Sequence, residues 1–275
     1  MTQGRIVNSP TATTAKLIFL DFDGTYADDG KVPPEHVEAV RAAQHNGHGV
    51  FLCTGRPRSG LGEHALEAPF DGLVCAAGGY VLIDGKVLRD RRFSVDLART
   101  SVEVLDRNGG VYILEHPDHV YCTVAGEKRL RELFQTHVDM LQALTALDSL
   151  DGIAPSKITV LGSSRPIVEI AADIGDGVKA MPGSVEDLGT VSGELQLADV
   201  DKFGGIEVVL NYLGKSRRDV VACGDGLNDL EMIERAGTGV AIAGGHPDLL
   251  AAADLLVPGP EEHGLVEAFM RLELI

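Results

Sequence analysis

The chain has 275 residues and a mass of 29.1 kDa, room for one large or two modest domains, and its 44% apolar and 24% charged residues are the mix of a folded globule rather than a disordered tail. Its 41 acidic against 24 basic residues give a net charge of −17, which excludes a general binder of nucleic acid or anionic membrane but leaves room for a local cationic pocket. No apolar run approaches the ~18 residues of a membrane-spanning helix.

Residues 1–15 are polar and rich in Thr and Ser, without the apolar centre of a secretory signal, and read as a frayed tail on a cytoplasmic protein. Lys16 to Leu20 is a short apolar run that stops abruptly at aspartates and a glycine, the pattern of a buried parallel strand. Pro33-Pro34 opens a helix over 35–45, and Gly47 and Gly49 close it. Val50 to Cys53 is a second strand, Ser59 caps a short helix, and Leu73 to Ala76 is a third strand. This β-α-β-α-β order predicts a parallel sheet with helices on its faces. Asp84-Gly85 between apolar runs then predicts a hairpin over 81–88. Helices over 94–107, 127–147 and 165–174 follow, with strands near 111–114, 120–124, 158–161 and 178–181, an α+β insert placed at 85–193. Parallel-sheet grammar returns in 194–275, with helices at 202–213, 229–236 and 261–272 and strands at 219–223, 239–242 and 254–257. The first part, 16–84, and the last, 194–275, are thus expected to build one sheet. Cys53, Cys75, Cys122 and Cys223 form no C-x-x-C pair, and three sit in apolar runs as small hydrophobes rather than as a zinc or disulfide framework.

In an open α/β sheet, ligands bind beyond the carboxyl ends of the strands. The first strand delivers Asp21 and Asp23 there, the second Thr54, Gly55 and Arg56, and the strand at 219–223 delivers Asp225, Asn228 and Asp229. Lys202 opens a helix on the same side. Four carboxylates and one ammonium sum to −3, so some must stay protonated or a cation must neutralise them. Oxygen donors without imidazole or thiolate select Mg2+. An anionic substrate and phosphoryl transfer are the chemistry this suggests.

Asp21-Phe22-Asp23-Gly24-Thr25, Thr54-Gly55-Arg56, Asp201-Lys202-Phe203-Gly204-Gly205 and Gly224-Asp225-Gly226-Leu227-Asn228-Asp229 resemble the four motifs of the haloacid dehalogenase (HAD) superfamily. The nearest likeness is to its Cof-like phosphatase branch, a Rossmann-like parallel-sheet α/β core with a large α/β cap inserted after the second motif. The likeness spans nearly the whole chain after residue 15. It implies that Asp21 is the nucleophile, forming an aspartyl-phosphate, and that Asp23 is general acid and then base. It also implies that Thr54, Gly55 and Lys202 hold the phosphoryl oxygens, that Asn228 supports Lys202 or the phosphate, and that Mg2+ is bound by Asp21, the Asp23 carbonyl and Asp225, with Asp229 binding through water or orienting the shell. Tyr26, Gly78-Gly79 and Ala243 to His246 depart from the usual pattern without touching a catalytic group.

The implied partner is a small phosphorylated molecule, a sugar phosphate or related metabolite, with no nucleic acid or membrane; a homodimer is compatible. A phosphomutase or phosphotransferase on the same scaffold and a non-catalytic phosphate-sensing module are the rivals. Asp28-Asp29 and His116-Pro117-Asp118-His119 read as turns, and Arg89, Arg91 and Arg92 as a solvated hinge paired with Asp90.

Overall fold

The computed structural model describes residues 15–28, 30–133, 138–182 and 186–275; the tail up to residue 14 and Asp29 lie outside them. The chain opens with β1 (Leu17–Leu20), α1 (Pro34–His45), β2 (Gly49–Cys53), β3 (Gly72–Cys75), β4 (Tyr80–Ile83) and β5 (Lys86–Asp90). There follow α2 (Val95–Arg107), β6 (Val111–Glu115), β7 (Val120–Thr123), α3 (Val124–Leu133), α4 (Val138–Ala143) and β8 (Leu144–Leu147). Next come β9 (Lys157–Gly162), α5 (Ile167–Ile174), β10 (Val178–Pro182), β11 (Gly193–Leu197) and α6 (Lys202–Leu213). The chain closes with β12 (Val220–Gly224), α7 (Leu230–Arg235), β13 (Thr238–Ile242), α8 (Pro247–Ala252), β14 (Leu255–Val257) and α9 (Gly264–Arg271).

The first and last thirds share an eight-stranded sheet of order β14-β13-β12-β1-β2-β3-β4-β5, parallel from β14 to β3 and antiparallel at β4 and β5. β1 lies at its centre, and strand order reverses on its two sides. Period-two alternation divides the core: Ile18 and Leu20 pack with Val37 and Val40 of α1 and Phe269 of α9, while Leu17 and Phe19 pack with Ile206 and Val209 of α6 and Met232 of α7. Asp84 and Gly85 both take positive φ between β4 and β5, as a two-residue I′ hairpin requires.

The middle of the chain forms a second sheet, β10-β11-β9-β6-β7-β8. Drawn by sheet membership, this insert runs from after Asp90 to Leu197, against the 85–193 expected, because β5 pairs with β4 and β11 pairs with β9 and β10. The helix expected over 127–147 is also corrected. It starts at Val124, α3 ends at Leu133 and residues 134–137 lie outside the described set; Leu144–Leu147 pairs in parallel with Val120–Thr123. Strand pairing overrides helical spacing there, since four residues of mixed size carry no decisive period. α2 and α5 cover one face of this sheet through Leu105, Ile170, Ile158, Val160 and Leu195. The other face carries Glu115, Lys157, Thr159, Glu194 and Gln196, in register across β6, β9 and β11.

Two crossings join the sheets, bridged by an Arg91–Asp199 ion pair at 2.7 Å, while Arg92 pairs with Asp90. His116 to His119 is the turn between β6 and β7, closed by the His116 N–H donating to the His119 carbonyl at 2.9 Å. Ser59 caps no helix; its hydroxyl donates to the His116 carbonyl at 2.7 Å, tying the first unit to the second. Among the described residues, no helix is long and apolar enough to cross a membrane.

Candidate active site

β1, β2 and β12 end side by side, so the residues that follow them meet. The Asp21 N–H donates to the Cys223 carbonyl at 2.9 Å, fixing Asp21 against the end of β12, and Asp225 follows Gly224 at the same edge. Lys202 reaches this point because α6 enters unusually close to β3 and β4. Gly78 has φ +95°, and a Cβ there would lie 2.0 Å from the Asp201 carbonyl oxygen, so only glycine lets the turn after β3 touch the start of α6. Asp201 caps that helix, its carboxylate accepting from the Gly204 N–H at 2.6 Å. A lysine in the first turn opposes the helix dipole, so the position is dictated by what the ammonium meets rather than by helix stability.

The Lys202 Nζ donates to Asp21 Oδ1 and to Asp229 Oδ1, both at 2.5 Å, with all three side chains buried. Asp229 Oδ2 accepts from the backbone N–H groups of Asp225 at 3.1 Å and Gly226 at 3.0 Å, so both its oxygens are engaged. Asp225 Oδ1 accepts from the Thr25 hydroxyl at 2.8 Å. Gly24, at φ +80°, makes room for this carboxylate: a Cβ there would lie 2.4 Å from Asp225 Oδ2.

One carboxylate oxygen from each of Asp21, Asp225 and Asp229 lies within 4.8 Å of the others. Burial, then the Asp229 charge, pushes the Asp21 carboxyl well above its usual range, although Lys202 pulls the other way. Burial and Asp229 likewise push Asp225 up to about 6. Burial alone would lower the Lys202 pKa, but Asp21 and Asp229 more than offset it and hold the ammonium charged. Three carboxylates against one lysine leave a net −2. The thiols of Cys53 and Cys223 are pushed up by burial and stay neutral. A hard divalent cation fits this set of oxygen donors and would offset the charge deficit.

The other expected residues ring the cluster. Asp23 is not part of it. Its half-exposed carboxylate accepts two hydrogen bonds from Arg56, Nε to Oδ2 at 2.8 Å and Nη2 to Oδ1 at 2.6 Å, and the guanidinium lies 4.7 Å above the Phe22 ring. Thr54 is buried, and its Oγ1 accepts from the Arg56 N–H at 3.0 Å, which leaves its own O–H to donate. The Asn228 amide nitrogen lies 3.5 Å from where a Cβ on Gly55 would sit. Among the described residues, the Lys202 hydrogen bonds go to Asp21 and Asp229.

Three contributors had no role in the sequence reading. Thr25 and Arg56 stand inside the quoted motifs, and their partners Asp225 and Asp23 appear only in three dimensions. Lys157 comes from the inserted unit, its Nζ donating to the Gly55 carbonyl at 2.8 Å. The signal for it is faint, a polar-apolar alternation in Lys157-Ile158-Thr159-Val160.

Comparison with known proteins shows the family and agrees with the fold. A family model of haloacid dehalogenase-like hydrolases matches residues 18–269. Bacillus subtilis YkrA, named as a candidate phosphatase, is 26% identical over 267 residues, covering 95% of this chain and 99% of its own. A phosphoglycolate phosphatase of Archaeoglobus fulgidus is 38% identical over 265 residues, covering 94% of this chain and 98% of its own. Among solved structures, the HAD subclass IIB sugar phosphatase BT4131 superposes with a TM-score of 0.81 at 20% identity, over 95% of this chain and 100% of the other, a likeness of fold. With the matched model spanning nearly the whole sequence, the chain belongs to the haloacid dehalogenase-like hydrolases, among relatives named as phosphatases.

Proposed function

We propose that this protein is a Mg2+-dependent phosphatase that hydrolyses a small phosphate monoester, a sugar phosphate or related metabolite, through an aspartyl-phosphate on Asp21. The observation that carries the reading is Lys202 buried between Asp21 and Asp229, with Asp225 alongside, at the carboxyl end of the central strand.

An Asp21 carboxylate oxygen attacks phosphorus in line with the ester oxygen. The bond to the leaving group breaks, and that oxygen takes a proton from the Asp23 carboxyl, which must first give up its two hydrogen bonds from Arg56. Asp23 then takes a proton from water, whose oxygen attacks the phosphorus, breaks its bond to Asp21 and releases inorganic phosphate. Lys202 neutralises Asp21 before substrate arrives and then faces the charge that spreads over the phosphoryl oxygens. The Thr54 O–H and the Gly55 and Asn228 amides supply further donors. Asp229, with both oxygens engaged, keeps Lys202 and the loop after β12 in place. Asp21, Asp225 and the Asp23 carbonyl would hold Mg2+, with Asp229 orienting the shell. When bound, the ion screens the approach of two anions and favours in-line geometry.

Hydrolysis of p-nitrophenyl phosphate tests the reading. Phosphate release is expected with Mg2+ and its loss in EDTA. Transfer to a second sugar without release would mark a phosphotransferase, and stable phosphorylation of Asp21 without turnover would mark a sensor.

A further inference from the structure

The polar face of the inserted sheet meets the site at Gly55. There Lys157, only 2% exposed, donates to the Gly55 carbonyl at 2.8 Å and to Glu194 Oε1 at 2.5 Å, and Glu115 Oε2 lies 3.3 Å from its third side. Glu115 is also buried and accepts from the Thr159 hydroxyl at 2.6 Å; Glu194 Oε2 accepts from the Gln196 amide at 2.8 Å. A Cβ on Gly55 would be 3.5 Å from the Asn228 amide and 3.9 Å from both Lys157 Nζ and Glu194 Oε1. Gly55 and Asn228, which the proposed function assigns to the phosphate, therefore adjoin Glu194 and Lys157 of the insert.

Lys157 has nothing left for an anion. Its two hydrogen bonds are taken, and its remaining side faces a carboxylate. With Glu115 ionised the trio carries −1, and with Glu115 protonated it carries zero, so neither state offers net positive charge. Arg56, the nearest guanidinium along the core loop, has both its fork positions on Asp23. Glu194 is the least buried of the three, its side chain 23% exposed, and a carboxylate oxygen keeps a lone pair after one hydrogen bond. The surface suits hydroxyl donors.

We infer that Glu194, backed by Lys157 and Glu115, is a specificity residue that selects phosphate esters with a neutral, hydroxyl-bearing leaving group and rejects those whose leaving group carries a carboxylate. The inference rests on the phosphatase reading and narrows its substrate class. Glycerol 3-phosphate and 3-phosphoglycerate form a matched pair, differing by CH2OH against COO−. As competitors of p-nitrophenyl phosphate hydrolysis by the full-length enzyme with Mg2+, glycerol 3-phosphate is expected to inhibit about tenfold more strongly, the effect of one like charge several ångströms away at an effective dielectric between protein and water. Glu194→Gln, nearly isosteric, is expected to shrink that ratio at least about threefold. Equal inhibition by the two, inhibition by neither, stronger inhibition by 3-phosphoglycerate, or a ratio untouched in a folded Glu194→Gln protein would overturn the inference. The wild-type ratio decides even if the variant does not fold. Failure of p-nitrophenyl phosphate hydrolysis itself would instead count against the phosphatase reading.

Discussion

Asp225→Asn is expected to make the metal-free protein more stable while removing its activity. In the folded state the Asp225 carboxyl is pushed from 3.8 up to about 6, first by burial and then by Asp229. A group with a raised folded pKa stabilises the fold fully below its unfolded value, and that contribution disappears as pH climbs through the folded value. Across this window, at 1.36 kcal/mol per unit, wild type forfeits about 3 kcal/mol between pH 4 and pH 7. Asparagine never ionises, and its amide oxygen can still accept from the Thr25 hydroxyl, so the variant avoids the loss. Urea unfolding in EDTA should show the two proteins equal near pH 3.5 and the variant ahead by about 2–3 kcal/mol at pH 7.5. Adding Mg2+ should close the gap by stabilising wild type alone, since only it keeps the full set of charged ligands. A variant less stable than wild type at pH 7.5, or a gap the same at both pH values, would refute the picture of crowded, desolvated carboxylates awaiting a cation.

Three further perturbations probe other parts of the site. Lys202→Met leaves Asp21 and Asp229 buried without their shared cation; a loss of about 3–5 kcal/mol at neutral pH is expected, shrinking toward acid as Asp21, whose carboxyl is pushed up by burial and Asp229, takes a proton. Unchanged urea midpoints would count against this pairing. Gly78→Ala places a methyl against the Asp201 carbonyl at a φ that disfavours side chains, and should cost more than about 2 kcal/mol and lower kcat by misplacing Lys202; wild-type kinetics in this variant would show that the close approach is dispensable. Asp23→Asn should lower kcat/KM, which reports transfer to Asp21, far more for alkyl phosphates than for p-nitrophenyl phosphate, whose leaving group needs no proton, and an equal loss of kcat/KM on both would contradict the acid role.

Most of the core was legible because its signals are local. Short apolar runs ended by Asp, Thr or Gly mark buried parallel strands, and the same ends place the site, so Asp21, Asp225, Asp229 and Lys202 could be grouped before any coordinates. What escaped depends on distant partners. Leu144–Leu147 becomes a strand because Val120–Thr123 lies beside it, and β11 joins the insert because β9 and β10 offer edges on either side. The turn of Asp23 toward Arg56 is invisible in the Thr-Gly-Arg motif, since 33 residues separate them and only the adjacency of β1 and β2 brings them together. Lys157 was beyond reach for the same reason, its contact with Gly55 spanning 102 residues and two sheets.

The central claim is that Asp21 takes the phosphoryl group. Acid-quenching Asp23→Asn protein during turnover of p-nitrophenyl phosphate with Mg2+, followed by peptide mapping, tests it most directly. Covalent phosphate on Asp21, absent from Asp21→Asn protein, is the predicted result; phosphate release with no phosphorylated Asp21 at any quench time, or with the label on another residue, would contradict it.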